Sequence, residues 1–386
     1  MNIPPTLLNH SRPVSRRLNA VSGRFGLLPL FAMAFCLLPI QALALDVQWH
    51  DAGSFEVEGR GWEKTATLYG RLPDSAEGRV PKTAWDLSRD NPGICIRFVT
   101  DARNIAVRWS LLRSALAMPH MAATGVSGVD LYTRSGNVSW IFVGNGRPGR
   151  QDNNIGEFRF RGEEKAEHEC LLYLPAYNGV KSLEIGVPPG ARLEKPAPRP
   201  ESRRKPVVVY GTSIAQGACA SRPGMVCSAI LGRMLDRPVI NLGFSASGNM
   251  EHPVGEVLAE IDAAAFVIDC TWNMSDDPAL YRDCVPKLVH AIRKQRPAAP
   301  IIFVGQSEIR PESHPTKFTL GQEAAVQALQ SEGGRGLITV PGTDLIGDDG
   351  EGTVDGVHLS DLGMMRQAQV LFPIVKKAVE GSPSKP

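Results

Sequence analysis

The sequence has almost no net charge and no internal repeat. Its 386 residues include 42 Lys and Arg against 40 Asp and Glu, a formal charge of +2. Proteins that bind nucleic acid usually carry a clear basic excess, so the balance argues against a nucleic-acid partner. Hydrophobic residues make up 43% and charged residues 21% of the chain. These fractions exclude wholesale disorder and a protein built of many membrane spans.

Acidic residues are absent from the first 44 positions. An apolar run at 26–40 and the small-residue sequence Ala42-Leu43-Ala44 follow a basic stretch that contains Arg12, Arg16, Arg17 and Arg24. This order predicts a secretory signal peptide cleaved after Ala44, and hence a periplasmic or secreted protein. The alternative is a single membrane anchor, but the run is short and contains two prolines. We therefore expect no stable membrane insertion after cleavage.

The cysteines lack the spacing of a zinc site. Six cysteines follow the predicted cleavage site, and they form neither C-x2-C pairs nor groups with nearby histidines. An even number in an exported protein permits disulfides, but six cysteines allow 15 pairings and the sequence does not choose among them. Burial as small apolar side chains is an equal alternative for Cys95 and Cys270, which lie inside apolar runs.

Three segments of different composition follow the signal region. Residues 45–187 contain short β-branched and aromatic runs, at 94–99, 105–110, 138–143 and 182–187, separated by turn residues. This pattern predicts an all-β domain, a jelly roll or β-sandwich. Residues 188–205 are rich in proline and charge, which predicts a stiff, exposed linker. Residues 206–386 alternate buried-type strands with helical stretches, which predicts a doubly wound parallel sheet of α/β class, flavodoxin-like in type.

Polar residues follow the predicted strands of the C-terminal segment. Ser213 follows the first strand, the small-residue block 243–249 the second, and Asn273 the third, while Asp355 and His358 precede the last helix. Ligands of parallel sheets bind beyond the carboxyl ends of the strands, so these groups should meet at one edge. A hydroxyl, an imidazole and a carboxylate together are what acyl transfer requires.

We therefore predict Ser213 as the nucleophile, His358 as the general base and Asp355 as the residue that orients His358. Two intervening residues place Asp355 and His358 on one tight turn. The oxyanion of a tetrahedral intermediate needs hydrogen-bond donors. The candidates are the backbone N–H of Ser213, the N–H of Ala246 or Gly248, and the side-chain amide of Asn273. No metal and no organic cofactor is predicted.

These blocks resemble the SGNH (GDSL-type) hydrolase superfamily, named for catalytic Ser, Gly, Asn and His. Gly211-Thr212-Ser213 stands where the family usually has Gly-Asp-Ser, and Asp355-Gly-Val-His358 matches its Asp-x-x-His block. The segment 128–132, GVDLY, resembles the GxDLY segment of an N-terminal domain that precedes one SGNH subgroup. The resemblance implies a two-domain hydrolase. Two departures are Thr212 in place of Asp and Ala246 where relatives often have Gly.

Four further residues are ambiguous from sequence alone. Trp272 borders Asn273 and is a candidate to line a sugar or acyl pocket, although packing is the default for a single Trp. His120 is a candidate to reach the cleft from the β-domain, with a structural loop position as the alternative. Asp130 and Tyr132 of the GVDLY segment are expected to stabilise the β-domain rather than contact substrate.

The leading functional prediction is a secreted serine esterase that removes small acyl groups, acetyl above all, from carbohydrate. Its substrate would be a small-molecule or oligosaccharide ester. Support for carbohydrate is the absence of a long apolar lid after Ala44 and the similarity to two-domain carbohydrate esterases. The alternatives are a lipase, phospholipase or thioesterase that uses the same residues, and a non-catalytic carbohydrate-binding protein. The sequence does not determine the oligomeric state.

Overall fold

The computed structural model describes residues 46–136, 139–161 and 166–381. The predicted signal peptide, residues 1–44, lies outside this range, so the signal peptide, its cleavage after Ala44 and the compartment remain predictions. The described residues belong to one compact unit. Among them, no helix is both long enough and apolar enough to cross a bilayer.

Antiparallel strands dominate the N-terminal half. In the described residues the strands are β1 (Gln48–Asp51), β2 (Glu56–Glu58), β3 (Cys95–Thr100), β4 (Asn104–Leu111), β5 (Val129–Arg134), β6 (Ile141–Gly146), β7 (Asn154–Arg159), β8 (His168–Tyr173), β9 (Val180–Val187) and β10 (Leu193–Glu194). Two short helices, α1 (Lys82–Leu87) and α2 (Ala123–Val126), lie between strands. The sequence did not predict either helix, because a single turn or two carries too little periodicity to detect.

The strands form two sheets that enclose a common core. One sheet has the order β1-β9-β4-β7; the other has the order β10-β3-β8-β5-β6, with β2 paired to β3. Side chains alternate along β4, so that Ile105, Val107 and Trp109 are buried between the sheets. Arg108 points the other way and bonds Glu184 across the β4–β9 pair. The predicted β-sandwich is confirmed.

The proline-rich segment is held against the body of the protein. Most of its residues are exposed, as expected, but β10 pairs with β3 and Arg199 is buried. The Arg199 guanidinium donates to both carboxylate oxygens of Glu58, at 2.7 and 3.0 Å, and to the side chain of Asp236 at 2.8 Å. The segment is therefore not a free spacer. The proline-rich composition predicts a stiff backbone, but it does not predict that Arg199 is buried against the carboxylates of Glu58 and Asp236.

The C-terminal half is a parallel sheet covered by helices. Its strands are β11 (Val207–Gly211), β12 (Val239–Gly243), β13 (Ala265–Asp269), β14 (Ile301–Val304) and β15 (Leu337–Val340). Its helices in the described residues are α3 (Ser213–Gln216), α4 (Cys227–Leu235), α5 (His252–Ala259), α6 (Pro278–Gln295), α7 (Lys317–Ser331) and α8 (Asp361–Glu380). The strand order β12-β11-β13-β14-β15 confirms the doubly wound, flavodoxin-like sheet.

Helices cover both faces of this sheet. One apolar core joins Val208 and Tyr210 of β11 to α5, α6 and α7, and the other joins Val207 and Val209 to α4 and α8. Alternate residues of a strand point to opposite faces, which explains why adjacent β11 positions enter different cores. Helix α7 was not predicted. Its start is marked only by Thr316, whose hydroxyl accepts the N–H of Thr319.

The GVDLY segment connects the two halves. The Asp130 carboxylate is fully buried and accepts the backbone N–H of Gly224 at 2.8 Å and the guanidinium of Arg222 at 2.8 Å. Arg222 also donates to the Tyr132 hydroxyl at 2.7 Å. A Cβ on Gly224 would lie 2.4 Å from the Tyr132 ring, so only Gly fits there. The expectation that Asp130 and Tyr132 act within the β-domain is therefore too narrow, because they bind a loop of the other half.

Candidate active site

The parallel sheet brings the predicted residues to one edge. Ser213 begins α3 immediately after β11, and the Thr212 hydroxyl caps that helix by accepting the Ile214 N–H at 3.2 Å. Asn273 ends a 3₁₀ turn that follows β13. Asp355 and His358 lie in the loop before α8. The position that often carries Asp in relatives thus serves here as a helix cap, a role that Thr fills well.

Ser213, His358 and Asp355 form a continuous hydrogen-bond chain. Ser213 Oγ lies 3.0 Å from His358 Nε2, and His358 Nδ1 lies 2.8 Å from Asp355 Oδ2. The second carboxylate oxygen accepts the backbone N–H groups of His358, at 2.8 Å, and Val357, at 3.1 Å. Ser213 and His358 are both half-buried, so a substrate can reach them from solvent.

The Asp355 carboxylate is held in its charged form. Burial would raise its pKa, but hydrogen bonds from the His358 ring and from the N–H groups of His358 and Val357 outweigh that effect and lower the pKa to about 2. Asp355 is therefore an anion at any ordinary working pH. It can accept the Nδ1 proton of His358 and leave Nε2 free to accept a proton from Ser213.

The turn after β12 contains both backbone candidates for the oxyanion donor, Ala246 and Gly248, in different surroundings. The Ser247 N–H donates to the Phe244 carbonyl at 3.0 Å and closes the turn, with Ala246 exposed at φ 56°. Gly248 is buried, and a Cβ there would lie 2.0 Å from the Gly211 carbonyl oxygen. Gly248 thus allows the turn to approach the end of β11. Within the described residues, the N–H groups of Ser213 and Ala246 have no acceptor.

Asn273 lies against the same turn. Its Nδ2 is 3.5 Å from the Gly248 carbonyl oxygen, a contact at the long limit of a hydrogen bond. The amide carries a second N–H, which is available to a ligand in the cleft. The structure therefore places the side-chain amide of Asn273 beside the Ala246–Gly248 turn, as the order of strands predicted.

Residues that carry no sequence signal of a functional role support this turn from behind. The Gln216 amide oxygen accepts the Ser245 N–H at 2.9 Å, and its nitrogen donates to Asp90 at 3.3 Å.

Arg71, fully buried, donates to the Gly243 carbonyl at 2.8 Å. The Tyr177 hydroxyl donates to the Ser213 carbonyl at 3.1 Å. Asp90, Arg71 and Tyr177 come from the N-terminal half, and no local sequence pattern marks them.

His120 and Trp272 have different surroundings. The His120 ring is exposed and its centre lies 5.6 Å from that of His358, so the β-domain does contribute a side chain beside the candidate site. Trp272 is half-buried, and its Nε1 donates to the Ser307 hydroxyl at 3.1 Å. That bond fixes the indole, and the ring packs on the core beneath α4 and α8. A role for either residue in substrate binding remains a prediction.

The cysteines of the described residues are unpaired. All six after position 44 carry free thiols, and five of them are buried. Burial, followed by the negative charge of Asp355, raises the pKa of the Cys219 thiol to about 11. Cys219, His120 and His358 together present three possible metal-ligand atoms within 4.8 Å of one another.

Comparison with known proteins identifies both halves. A model of the GDSL-like lipase/acylhydrolase family matches residues 204–376, and a model of the N-terminus of SGNH-hydrolase-type esterases, named GxDLY, matches residues 47–193. The comparison with curated proteins gave no match. The two family models meet at the proline-rich segment predicted as the linker.

Solved structures share the whole two-part architecture. A GDSL-like lipase from Bacteroides ovatus ATCC 8483 is 31% identical, with a TM-score of 0.77 over 88% of this chain and 100% of its own. A salicylyl-acyltransferase from a tetracycline biosynthetic pathway, SsfX3, is 16% identical, with a TM-score of 0.66 over 84% and 95%. A family two carbohydrate esterase from Cellvibrio japonicus is 11% identical, with a TM-score of 0.56 over 86% and 98%. The last two similarities show the fold alone.

The match to the Bacteroides ovatus protein extends over nearly the whole described chain, and both family models agree with it. The chain therefore belongs to the GDSL-like lipase/acylhydrolase family of SGNH-type carboxylic ester hydrolases, with an N-terminal domain of the GxDLY type.

Proposed function

We propose that this esterase uses Ser213, His358 and Asp355 as a catalytic triad. The observation that carries the proposal is the unbroken chain from Ser213 Oγ to His358 Nε2 at 3.0 Å and from His358 Nδ1 to Asp355 at 2.8 Å. A serine hydroxyl is a weak nucleophile until a base accepts its proton. The 3.0 Å contact is within reach for that transfer, and the charged Asp355 stabilises the imidazolium that forms.

The proposed reaction proceeds in two steps. Ser213 Oγ attacks the ester carbonyl while its proton passes to His358 Nε2, and the same proton then protonates the leaving alcohol. The resulting acyl-Ser213 ester is hydrolysed by a water whose proton is accepted by His358 and then returned to Ser213 Oγ as the acid leaves. Each step passes through a tetrahedral oxyanion, for which we assign the N–H groups of Ser213 and Ala246 and the Asn273 amide as donors.

Ala246 is favoured over Gly248 as the donor on two grounds. Ala246 is exposed towards solvent, whereas Gly248 is buried, although neither backbone N–H has an acceptor within the described residues. Gly248 is buried, and its missing side chain is already explained by the contact with Gly211. A backbone N–H serves equally from Ala or Gly, so the departure from the usual Gly at position 246 leaves the donor in place.

The proposed substrate is a small acyl ester, above all an acetyl ester, on a carbohydrate. Relatives in fold support this choice, because structures of family two carbohydrate esterases align with both halves of the chain. The exposed His120 beside His358 adds a polar group from the β-domain, suited to bonding hydroxyl groups of a sugar.

The test compares wild-type protein, Ser213→Ala and the control Ser331→Ala, which alters an exposed serine on α7. Acetate release is measured from acetylated xylan or xyloglucan oligosaccharides and from p-nitrophenyl acetate. We expect Ser213→Ala to lose at least about 10⁴-fold in kcat, while Ser331→Ala equals wild type. Labelling by a fluorophosphonate should also require Ser213. A wild-type rate retained by Ser213→Ala rejects the triad, and a labelled but carbohydrate-inactive protein rejects only the substrate.

A lipase or thioesterase is the second candidate, because the most similar structure described above is a GDSL-like lipase. The two candidates differ in the length of acyl chain that they accept. A series of p-nitrophenyl esters from acetate to octanoate separates them. We expect kcat/KM to fall beyond butyrate, and a rise with chain length favours the lipase.

A further inference from the structure

Three nitrogen and sulfur ligands converge on the proposed base from separate parts of the chain. His358 lies in the loop before α8, Cys219 follows α3, and His120 comes from the N-terminal half. Their ligand atoms lie within 4.8 Å of one another. The thiol of Cys219 also donates to the His120 carbonyl at 3.3 Å, so a direct contact already joins the two segments.

His358 has the orientation of a metal-bound histidine. Histidines that ligate zinc usually donate one ring N–H to a carboxylate, which fixes the tautomer and strengthens the other nitrogen as a ligand. Asp355 provides that carboxylate at 2.8 Å from Nδ1, and Nε2 faces the cleft. The bond that would orient the base for catalysis thus also prepares the same nitrogen to hold a metal.

The donor set selects the class of metal. Two imidazoles and one thiol suit Zn²⁺, whereas Mg²⁺ and Ca²⁺ require oxygen ligands. In a tetrahedral zinc centre the ligand atoms lie roughly 3.3–3.6 Å apart, given bonds of about 2.0–2.3 Å. Because the three ligand atoms already lie within 4.8 Å of one another, they need to approach by at most about 1.5 Å, and the exposed His120 side chain is free to move. Ser213 Oγ, 3.0 Å from His358 Nε2, or a water would fill the fourth position.

We propose that His120, Cys219 and His358 form an inhibitory binding site for Zn²⁺. Binding breaks the S–H bond of Cys219, releases that proton to solvent and forms an S–Zn bond, with no change in oxidation state. The metal takes the Nε2 lone pair of His358, so this nitrogen can no longer accept the Ser213 proton. The inhibition rests on the proposed function of His358, but the binding does not.

The site requires both halves of the protein. Thr124, four residues after His120, donates its hydroxyl to the Ser221 carbonyl at 2.6 Å and so holds the two ligand-bearing loops together. Cys219 has a left-handed backbone, φ 67°, which a non-glycine residue adopts only when its surroundings impose it. The hydrogen bond from the thiol to the His120 carbonyl holds the thiol beside His120 before any ion binds, which lowers the ordering cost of binding.

Binding is tested without reference to activity, using Co²⁺ as a spectroscopic substitute for Zn²⁺. The full chain after Ala44 is titrated with Co²⁺ and the thiolate-to-metal charge-transfer band is followed. We expect a band that saturates at one equivalent, is abolished by Zn²⁺, and is absent from Cys219→Ala. Cys284→Ala, at a cysteine of α6, is the matched control and should keep the band. No band in wild type, or an unchanged band in Cys219→Ala, overturns the site.

Inhibition is tested separately with p-nitrophenyl acetate. We expect Zn²⁺ to inhibit the wild type, EDTA to reverse this, and the concentration for half-inhibition to rise at least tenfold in Cys219→Ala, with its metal-free rate unchanged. His120→Ala should raise the same concentration, while His290→Ala, at an exposed histidine of α6, should not. A Zn²⁺ effect that is equal in all variants, or activation by Zn²⁺, rejects the proposal. A saturable Co²⁺ band in a protein that lacks esterase activity leaves the site intact and rejects the triad instead.

Discussion

The turn after β12 allows a sharp test of the proposed oxyanion site through Gly248→Ala. The new Cβ would lie 2.0 Å from the Gly211 carbonyl oxygen and 2.4 Å from its carbon, whereas real Cβ contacts are at least 3.0 Å. Neither partner is a side chain that can rotate away. The turn must therefore move by about 1 Å or more, away from the end of β11, the strand that precedes Ser213.

The size of the effect follows from the position of Ala246 in that turn. A displacement of about 1 Å from productive geometry costs on the order of 10²-fold in rate, and the loss of one oxyanion donor costs about 10²–10³-fold. We expect kcat to fall by that factor and KM to change little, because the donor binds the oxyanion and not the ground-state ester.

The assay is steady-state hydrolysis of p-nitrophenyl acetate, with thermal unfolding as a check on the fold. Ala246→Gly is the matched control. This variant keeps the backbone N–H at position 246. Gly relieves the strain of a left-handed backbone, roughly 1 kcal/mol, but loses about 0.5–1 kcal/mol through its greater conformational entropy when unfolded, so the two effects nearly cancel. Its kcat and Tm should stay close to wild type. A folded Gly248→Ala with wild-type kcat would refute the assignment of this turn to the oxyanion site.

Two further predictions concern stability. Asp130→Asn breaks the buried ion pair with Arg222 and should lower the free energy of unfolding, measured in urea, by about 2–3 kcal/mol. The control Asp152→Asn, at an exposed ion pair, should change the free energy of unfolding by less than about 0.5 kcal/mol. Equal losses in the two variants would contradict the role of Asp130 in connecting the halves. Burial raises the pKa of Asp269 to about 6, so the native state favours its protonated form. Stability from this group is present below about pH 4 and is lost as the pH rises to 6, by about 3 kcal/mol. Asp269→Asn should therefore be more stable than wild type at pH 8 but not at pH 4, and parallel unfolding curves would contradict this.

Much of the candidate site could be predicted because the parallel sheet has a simple geometry. Short continuous apolar runs identify its strands, and the carboxyl ends of parallel strands meet at one edge. Ser213, Asn273 and His358 could be placed together on that basis before any distance was known. The local turn from Asp355 to His358 needed only its spacing. Helix α7 and the two short helices of the β-domain were missed, since their sequences carry weak or brief periodicity.

The remaining features depend on contacts between residues far apart in the chain. His120 reaches His358 only because the loop that carries it packs on the loop after α3. The buried Arg71 donates to the carbonyl groups of Asn241 and Gly243 in β12, 170 and 172 positions away. The sequence pattern of one segment does not predict which other segment it packs against. Side-chain packing and buried hydrogen bonds of this kind form only when the two halves come together.

By itself, then, the sequence predicted an all-β half followed by an α/β half, a candidate site at one sheet edge of the second, and the order of residues along it. Periodicity and strand-end chemistry are local properties, so they can be read without a structure. Only the tertiary structure decided that Gly248 is a steric necessity while Ala246 is exposed, and that the GVDLY segment joins the halves. It also placed a thiol and a second imidazole beside the proposed base. Those outcomes depend on distances of a few ångströms between distant segments, which composition and spacing do not contain.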